Sequence, residues 1–365
     1  MSRNRIFGLT SRFLMCVVAG LLILSYASMF VNPAHLWFIS LSGLFFVPLS
    51  IINLILLLWA VRRLSKSFII PLLALLPSFF FIGRYVRFPK SEESPVVRTL
   101  TDSRGESSIR MMTYNVGRFA LNEAKEGIYT KTQCADSIFA FIRSQDADII
   151  CLQEFRMSGN KDIRSYLSKH FSGYDVQYYI FPETGGSFGN VTLSRVPVTG
   201  KGKIRFEGST NLAIYTDHVY KGQPFRVYNC HFESYNISFT GLVRALFTAD
   251  EQVFEETGSK MKRSLLKRPK QVDQVLENME DCPVESFVCG DFNDNPMSYT
   301  YYRLTRGRDD SFVEAGLGFG ATYANMWPML RIDYVLYPKR YDAVSHDIPR
   351  VEYSDHYPVI TEIEI

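Results

Sequence analysis

The sequence predicts an α/β domain that follows an apolar, helical N-terminal region. Three observations in the chain of 365 residues support this fold class. Apolar stretches fill most of the first ninety residues, residues 89–108 are polar and mixed in charge, and from residue 109 β-rich runs alternate with helical ones. Such alternation is typical of α/β proteins, and about 255 residues suffice for a large core. We therefore expect an anchor of two or three helices at 1–88, a linker at 89–108 and an α/β domain at 109–365.

Charge divides the chain at the same place. The first ninety residues contain nine Lys or Arg and no Asp or Glu, which leaves 31 basic against 37 acidic residues in the remainder. The overall charge of +3 therefore belongs to the N-terminal region, and the main domain is slightly acidic.

The apolar stretches cover residues 13–31, 36–61 and 68–83. The first two exceed the roughly 18 residues that a helix needs to cross a bilayer. The third is marginal in length and contains Pro71 and Pro77. We expect three membrane spans, with two as the alternative. A cleaved signal peptide explains the first stretch less well, because its apolar core is long and a second stretch follows within a few residues.

Basic residues near the spans indicate their orientation, because Lys and Arg tend to remain in the cytoplasm. Three Arg precede the first stretch, three basic residues follow the second, and residues 32–35 contain none. This pattern predicts an integral protein of the bacterial inner-membrane type. A third span would make the α/β domain extracytoplasmic, although Arg84, Arg87 and Lys90 follow that span. Without a third span the domain would stay in the cytoplasm.

Periodicity defines the elements of the main domain. The predicted strands cover residues 109–116, 149–153, 176–181, 191–194, 211–215, 225–230, 286–289, 332–337 and 357–363. The predicted helices cover residues 132–144, 162–169 and 262–279. Cys151, Cys230 and Cys289 lie within predicted strands, which indicates small core residues and not a disulfide framework. No CxxC pair suggests a zinc site.

Polar residues lie at the end or the start of several of these strands. The segments are TYNV with Asn115, CLQE with Glu154, NCHFE with His231, GDFND with Asp291 and Asn293, RIDYVL with Asp333, and SDHYP with Asp355 and His356. Each has an ordinary structural explanation, since Asp and Asn form turns and a lone His is usually a hydrogen-bonded core residue. Together, oxygen ligands and two imidazoles at strand ends suit a hard divalent cation and an activated water.

These motifs resemble, in order and approximate spacing, the endonuclease/exonuclease/phosphatase superfamily. That superfamily includes pancreatic-type deoxyribonucleases, abasic-site endonucleases, neutral sphingomyelinases and inositol polyphosphate 5-phosphatases. The similarity extends to GGSFGNVTLSR around Asn190 and covers residues 109–365, with GDFN and SDH as its most specific parts. It implies a four-layer α/β/β/α sandwich of the DNase I-like type, with the site at one edge of the packed sheets.

The resemblance also implies a metal site. Glu154 would be the principal ligand of Mg²⁺, or of Mn²⁺ in its place, with Asn115 and Asp355 close to the cation. Asp291 would orient or deprotonate the attacking water.

The remaining motif residues would act on the phosphate. His356, oriented by Asp333, would stabilise the developing charge or serve as the acid–base partner. Asn293 and His231 would bind phosphate oxygens, and Asn190 would line the same cleft.

The sequence thus predicts a membrane-anchored, divalent-metal-dependent phosphoesterase that hydrolyses phosphodiester or phosphomonoester bonds by in-line attack of water. A DNA or RNA endonuclease is the first alternative, and a membrane-tethered module that binds a phosphate ligand without turnover is the second. The expected partners are a phospholipid head group, nucleic acid or small phosphodiester as substrate, and the lipid bilayer, with no obligate protein partner. The apolar segment 237–247 and the basic segment 260–270 would suit a membrane surface or an ordinary packed helix.

Overall fold

The structure, a computed structural model, describes residues 3–89, 107–119, 131–157, 162–183, 186–235 and 251–365. Most of the predicted linker and the apolar segment 237–247 lie outside these ranges. The chain divides into two compact units. The helical unit comprises Met1–Tyr85, Tyr235–Pro269 and Asp294–Arg303, and the α/β unit comprises Val86–Ser234, Lys270–Asn293 and Leu304–Ile365. The helical unit thus includes two segments from the C-terminal part of the chain.

The N-terminal helices are α1 (Arg3–Ala27), α2 (Pro33–Leu44), α3 (Phe46–Arg62), α4 (Ile69–Leu75) and α5 (Ser78–Phe81). Leu9–Ala27 and Lys66–Arg84 are each long and apolar enough to cross a membrane. Helices α2 and α3 are bent by 54° relative to each other and pass the same test only as a pair, whereas α3 alone has 17 residues, at the lower end of the length that spans a bilayer. Residues 36–61, which were expected to form one span, are thus divided between two helices.

The break between α2 and α3 has a local cause. Pro48 has no N–H to donate to the carbonyl of Leu44, so a helix cannot run through this point with all its hydrogen bonds. Helix α3 instead starts at Phe46, which places Pro48 in its first turn, where a proline is tolerated. The third stretch, which contains Pro71 and Pro77, is divided into short helices and still meets the length and polarity required of a span.

Strands account for most of the α/β unit. They are β1 (Val86–Arg87), β2 (Ser108–Asn115), β3 (Ile149–Met157), β4 (Asp175–Glu183), β5 (Gly186–Ser194), β6 (Val198–Arg205), β7 (Leu212–Tyr220), β8 (Gln223–His231), β9 (Glu285–Asp291), β10 (Arg308–Asp310), β11 (Gly318–Phe319), β12 (Asp333–Pro338), β13 (Asp342–Asp347) and β14 (Val359–Glu364). Two six-stranded sheets have the orders β13-β14-β2-β3-β5-β4 and β10-β12-β9-β8-β7-β6. Each predicted strand is confirmed by an observed one.

Alternating side chains of the central strands build the layers. In β2, Ile109 and Met111 belong to the core between the two sheets, where they join residues such as Phe225 and Phe287 of the second sheet. Their neighbours Met112 and Tyr114 pack in a separate core with the helices α6 (Lys131–Ser144) and α7 (Ile163–His170). Successive side chains of a strand point to opposite faces, so β2 is covered on both sides.

A helix also covers the outer face of the second sheet. The hydroxyl of Tyr228 on β8 donates to Asn278 Oδ1 at 2.9 Å. Asn278 lies in the long helix α8 (Glu251–Glu280). The unit is therefore an α/β/β/α sandwich, as predicted.

A buried histidine makes this sandwich sensitive to acid. His218 on β7 is 1% exposed, and its Nε2 lies 2.8 Å from Thr216 Oγ1. Burial lowers the pKa of His218 to about 4. The unfolded chain, with a pKa of about 6.5, binds this proton more readily, so the stabilisation is present above pH 6.5 and is lost as the pH falls towards 4.

We expect the pH dependence of the unfolding free energy to be reduced in a His218→Gln variant. Between pH 7 and pH 4 the wild type should lose on the order of 3 kcal/mol more than the variant. Denaturant unfolding of both proteins at several pH values measures this difference. An equal loss in both proteins would contradict the assignment.

Candidate active site

Three neighbouring strands bring polar side chains into one row. Strand β8 runs parallel to β9 and pairs His231 with Asp291. Strand β12 runs antiparallel to β9 and pairs Asp333 with Asp291. Paired residues of neighbouring strands lie side by side on the same face of a sheet. The row His231, Asp291 and Asp333 therefore follows directly from the strand register.

Gly290 allows these strands to approach closely. Its φ is +136°, and a Cβ at this position would lie 1.9 Å from the carbonyl oxygen of Cys230 on the neighbouring strand. Gly290 lies within β9 and pairs with a residue on each side. The glycine is thus required for close packing of β8 against β9 and not for a change of direction.

A β-bulge turns Glu154 towards this row. Strand β3 was expected to end before Glu154, but it continues to Met157. Leu152 pairs with Val191 and Phe155 with Gly189, so Gln153 and Glu154 together oppose a single residue, Asn190. Glu154 adopts a φ of +52°. A bulge re-aims side chains that regular alternation would place elsewhere, so Glu154 lies inside a strand and not at its tip.

The Glu154 carboxylate and the row of strand residues meet around His231. His231 Nε2 lies 3.7 Å from Glu154 Oε1 and 3.7 Å from Asp291 Oδ2. This nitrogen is buried and makes no hydrogen bond to any described residue. Burial lowers the pKa of His231 and outweighs the opposing effect of Glu154. The imidazole is therefore neutral near pH 7.

Asp291 is held from several sides. Its Oδ2 accepts hydrogen bonds from Asn115 Nδ2 at 2.9 Å and Asn293 Nδ2 at 3.0 Å, and its Oδ1 accepts from the backbone N–H of Asn293 at 2.8 Å. Burial raises the pKa of Asp291 to about 7, with Asp333 adding to the shift while His356 and the N–H donors oppose it. A carboxyl group with this pKa is suited to accept a proton near neutral pH.

Asp333 orients His356. His356 Nδ1 lies 2.9 Å from Asp333 Oδ2, and His356 Nε2 faces Asp291 Oδ2 at 3.9 Å. Burial lowers the pKa of His356, but the charges of Asp333 and Asp291 together raise it well above its ordinary value. The backbone of Asp333 is fixed in turn, because its N–H donates to Thr322 Oγ1. His356 is thus protonated near neutral pH, and its Nε2 lies close to Asp291 Oδ2 but beyond hydrogen-bond distance.

Asn115 and Asn293 contact the acids of the cluster. The Asn115 amide nitrogen also lies 3.5 Å from Glu154 Oε1, while its oxygen accepts from the Gly117 N–H. The Asn293 amide nitrogen donates to the Phe232 carbonyl as well as to Asp291. Both amides therefore act here as donors that position carboxylates. Binding of phosphate by Asn293, or of a metal by Asn115, would require these amides to turn.

Asp355 and Asn190 have other surroundings. Asp355 Oδ1 is 3.4 Å from Ser354 Oγ, which also donates to the Asn115 carbonyl. Asn190 is fully buried, and its amide nitrogen donates to the carbonyls of Leu212 and Asn229 in the second sheet. Its Oδ1 makes no hydrogen bond to any residue that the structure describes. Asn190 thus connects the two sheets directly opposite the bulge.

One contact of Glu154 was missing from the sequence interpretation. Arg118 Nε lies 3.3 Å from Glu154 Oε2, and its guanidinium stacks over the Phe188 ring at 4.2 Å. Arg118 is half-exposed and adopts a φ of +58° just after Gly117. Its position three residues beyond Asn115 was the available signal, but an isolated Arg after a strand does not specify a partner.

The donor atoms fit a divalent cation. Ligand atoms of Asp291, Asp333 and His356 lie within 4.8 Å of one another, and of these the two carboxylates can bind a cation while His356 is protonated. Asp333 Oδ1 is buried without a hydrogen-bond partner among the described residues. With the Glu154 carboxylate next to Asp291 and His231, the site offers the oxygen-rich set that Mg²⁺ or Mn²⁺ prefers.

Solved structures share this fold. An endonuclease/exonuclease/phosphatase from Beutenbergia cavernae is 20% identical with a TM-score of 0.52, covering 71% of this chain and 72% of that one. The catalytic domain of human nocturnin, solved with bound sulfate, is 18% identical with a TM-score of 0.51, covering 70% and 93%. A mannosyl-6-phosphatase from Bacteroides thetaiotaomicron is 15% identical with a TM-score of 0.51, covering 70% and 100%.

Sequence comparisons match the N-terminal region and the remainder of the chain to different families. No curated protein matches the chain. A family model described as a domain of unknown function (DUF8431) matches residues 4–85. The model of the endonuclease/exonuclease/phosphatase family matches residues 112–356, from β2 to His356. The chain therefore belongs to the endonuclease/exonuclease/phosphatase family.

Proposed function

We propose that the protein is a membrane-anchored, divalent-metal-dependent phosphoesterase that hydrolyses a phosphodiester or phosphomonoester by in-line attack of water. One observation carries the proposal. A base, Asp291, and a protonated imidazole, His356, face each other at 3.9 Å, with the Glu154 carboxylate beside the same row of residues. Hydrolysis of a phosphoester requires a positioned water, a proton donor and neutralisation of phosphoryl charge.

Asp291 and His356 would divide the proton transfers between them. Asp291 would take a proton from the attacking water as its oxygen bonds to phosphorus. The P–O bond to the alcohol would break, and His356 would donate a proton to the departing oxygen or to the developing phosphoryl charge. Asn115 and Asn293 would hold Asp291 in place, and neutral His231 would donate a hydrogen bond to a phosphoryl oxygen.

Glu154 would hold the cation, with Asp355 and the amide of Asn115 next to it. A bound divalent cation neutralises charge on the phosphoryl oxygens. The Arg118 guanidinium, at 3.3 Å from Glu154, would fix the orientation of the carboxylate and add positive charge at the rim. Asn190, opposite the bulge, would maintain the backbone geometry that presents Glu154.

An activity panel on the full chain in nanodiscs tests this function. The full chain is required, because the helical unit includes residues 235–269 and 294–303. The substrates are bis(p-nitrophenyl) phosphate, p-nitrophenyl phosphate, plasmid DNA and phospholipid vesicles, each with Mg²⁺, Mn²⁺ or EDTA. We expect metal-dependent hydrolysis that EDTA abolishes. Nicking of DNA alone would favour an endonuclease, and metal binding without turnover of any substrate would favour a binding module.

Replacing Glu154 by Ala should mainly weaken metal binding. We expect the Mg²⁺ concentration for half-maximal activity to rise by at least about 10-fold, with a smaller change in kcat at saturating Mg²⁺. Metal titration of the activity measures both quantities. Glu364→Ala, which changes an exposed carboxylate at the end of β14, serves as the matched control. An unchanged Mg²⁺ dependence in Glu154→Ala would contradict the role of this residue.

Contacts within the helical unit support three spans and an extracytoplasmic catalytic domain. Just beyond the first candidate span, the Ser28 hydroxyl donates to the carbonyl of Met297. At the end of the last candidate span, Arg84 donates to the carbonyl of Pro296 at 3.0 Å. Both span ends therefore meet one short segment. Ser28 and Arg84 would lie on the same side of the membrane, opposite the N-terminus.

Helix α2 would then lie at the membrane surface. Its Gly43 carbonyl accepts a hydrogen bond from Asn295 Nδ2 at 2.9 Å. Lys262 lies over the ring of Trp37 at 5.5 Å. These polar partners suit an interfacial helix, which leaves α3 as the middle span. The basic residues Arg3, Arg5 and Arg12 would keep the N-terminus in the cytoplasm.

Reporter fusions test this topology. Alkaline phosphatase fused after Ile365 should be active and green fluorescent protein at the same point should be dark, because the C-terminus is expected outside the cytoplasm. Fusions after Leu64, in the loop that precedes the last span, should give the opposite pattern. A fluorescent C-terminal fusion would contradict the proposed orientation.

A further inference from the structure

Four large apolar side chains of the α/β unit are exposed around β1 and β11. Phe88 is 76%, Leu317 63%, Phe319 44% and Trp327 39% exposed. We refer to these four residues as the apolar lip. Scattered apolar residues on a surface are ordinary, but a contiguous group marks a contact with another molecule or with a membrane.

Strand pairing and ring contacts hold the apolar lip together. Strand β1 pairs with β11, with Val86 opposite Phe319 and Arg87 opposite Gly318. The rings of Phe319 and Trp327 meet at 5.5 Å, edge to face. The guanidinium of Arg350 lies over the Trp327 ring at 4.4 Å. The lip is thus a patch of aromatic and aliphatic side chains bordered by two Arg.

A short loop connects the apolar lip to the candidate active site. Residues 323–330 form a tight loop with Trp327 near its tip, closed by a hydrogen bond from the Tyr323 N–H to the Leu330 carbonyl. At the base, Tyr323 pairs with His356, and their rings meet at 5.2 Å. The Ala324 N–H donates to the carbonyl of Asp355 at 2.8 Å. A molecule touching Trp327 is therefore next to the loop that flanks His356.

The chain also ties the apolar lip to the end of the last candidate span. That span ends at Arg84, and strand β1 begins at Val86. Phe88 is four residues beyond Arg84, which an extended chain covers in at most about 14 Å. This short tether places Phe88, and with it the strand that carries Phe319, close to the head-group region of any bilayer that holds the span.

We infer that the apolar lip inserts into the bilayer interface and that the site acts on a phosphoester carried in a lipid head group. The inference rests on the proposed function and specifies its substrate class. Aromatic rings and Arg are the side chains enriched at membrane interfaces. Arg87 and Arg350 would face anionic head groups, while the loop 323–330 would bring the interface to His356. The tether to a span makes a lipid surface, and not a protein partner, the occupant.

Fluorescence quenching tests the position of the lip without relying on activity. A Trp37→Phe/Trp59→Phe variant keeps Trp327 as its only tryptophan. Nanodiscs of phosphatidylglycerol and phosphatidylcholine are prepared with and without bromine atoms near the head-group end of the acyl chains. We expect fluorescence roughly twofold lower with brominated lipid.

The control carries all three Trp→Phe changes and Val344→Trp, a 40% exposed position on β13, and should show no quenching. If brominated lipid does not quench the fluorescence of Trp327, the inference is overturned and the apolar lip would contact a partner other than the bilayer.

Paired rate measurements test the substrate class. In a Phe319→Ser/Trp327→Ser variant, we expect phosphate-bearing head groups to be released from phosphatidylglycerol–phosphatidylcholine vesicles about 10-fold more slowly. Hydrolysis of soluble bis(p-nitrophenyl) phosphate should be unchanged, as should both rates in Val344→Ser. The assignment of a lipid substrate is overturned by any of three outcomes. The variant loses the same factor on both substrates, it loses no rate on vesicles, or the wild type hydrolyses only the soluble ester. If the wild type hydrolyses neither, the proposed function fails, and quenching alone then decides whether the lip contacts the bilayer.

Discussion

An Asp291→Asn substitution is expected to lower kcat by about 10³-fold, within the usual range for loss of a general base. The amide cannot accept a proton from water, although it has nearly the shape of the carboxylate. Its oxygen can still accept the hydrogen bond that the Asn293 N–H donates to Asp291 Oδ1 at 2.8 Å. Its nitrogen would instead face Asn115 Nδ2 and Asn293 Nδ2, which both donate to Asp291 Oδ2. Rates at saturating Mg²⁺ on the best substrate of the activity panel measure the effect.

A matched change outside the site separates chemistry from folding. Asp217→Asn removes a carboxylate that pairs with Arg226 on the outer part of the second sheet. We expect this control to retain full kcat. The free energy of unfolding of Asp291→Asn should change by no more than about 2 kcal/mol, because a lost pair of hydrogen bonds is offset by removal of a buried charge. Hydrolysis by Asp291→Asn at the wild-type rate would remove Asp291 from the proposed mechanism.

The row at the centre of the site could be predicted from the sequence. Asp291, Asp333 and His231 each lie at the end of an apolar run, and strand register alone brings them together. Three edge strands of the two six-stranded sheets were missed because their sequences carry little apolar signal. Strand β10 (Arg308–Asp310) consists only of charged residues. Strand β6 (Val198–Arg205) contains two Gly and two Lys, and β13 (Asp342–Asp347) begins and ends with Asp. Such strands are defined by their pairing partner and not by their own composition.

Features that depend on the backbone conformation of single residues could not be predicted from the sequence. The bulge at Glu154 inserts one residue opposite Asn190, and no local pattern in DIICLQEF marks where β3 departs from regular pairing. The contact of Arg118 with Glu154 depends on a positive φ at Arg118 itself. The separation of α2 from α3 was predictable in principle, since Pro48 was visible inside the apolar stretch. Its apolar neighbours suggested one continuous span instead.

A His356→Asn substitution is expected to lower kcat by about 10³-fold as well, since it removes the proposed proton donor. Asn can keep a donor at the position of Nδ1, where His356 lies 2.9 Å from Asp333 Oδ2. It has no group at the position of Nε2, the atom that faces Asp291 Oδ2 at 3.9 Å. The variant therefore removes Nε2 and the positive charge of the imidazole while the contact with Asp333 is preserved. Single-turnover rates at saturating Mg²⁺ measure the loss in the chemical step.

A double substitution distinguishes orientation from independent action. If Asp333 acts by orienting and charging His356, then Asp333→Asn should slow the wild type strongly but add little to His356→Asn, because residues that act as one unit are not additive. His170→Asn, at the end of α7 and outside the site, is the control and should keep the wild-type rate. Two losses that multiply in the double variant would show that Asp333 acts on the reaction independently of His356. Asp333 Oδ1, which has no hydrogen-bond partner among the residues that the structure describes, would then be the atom through which it acts.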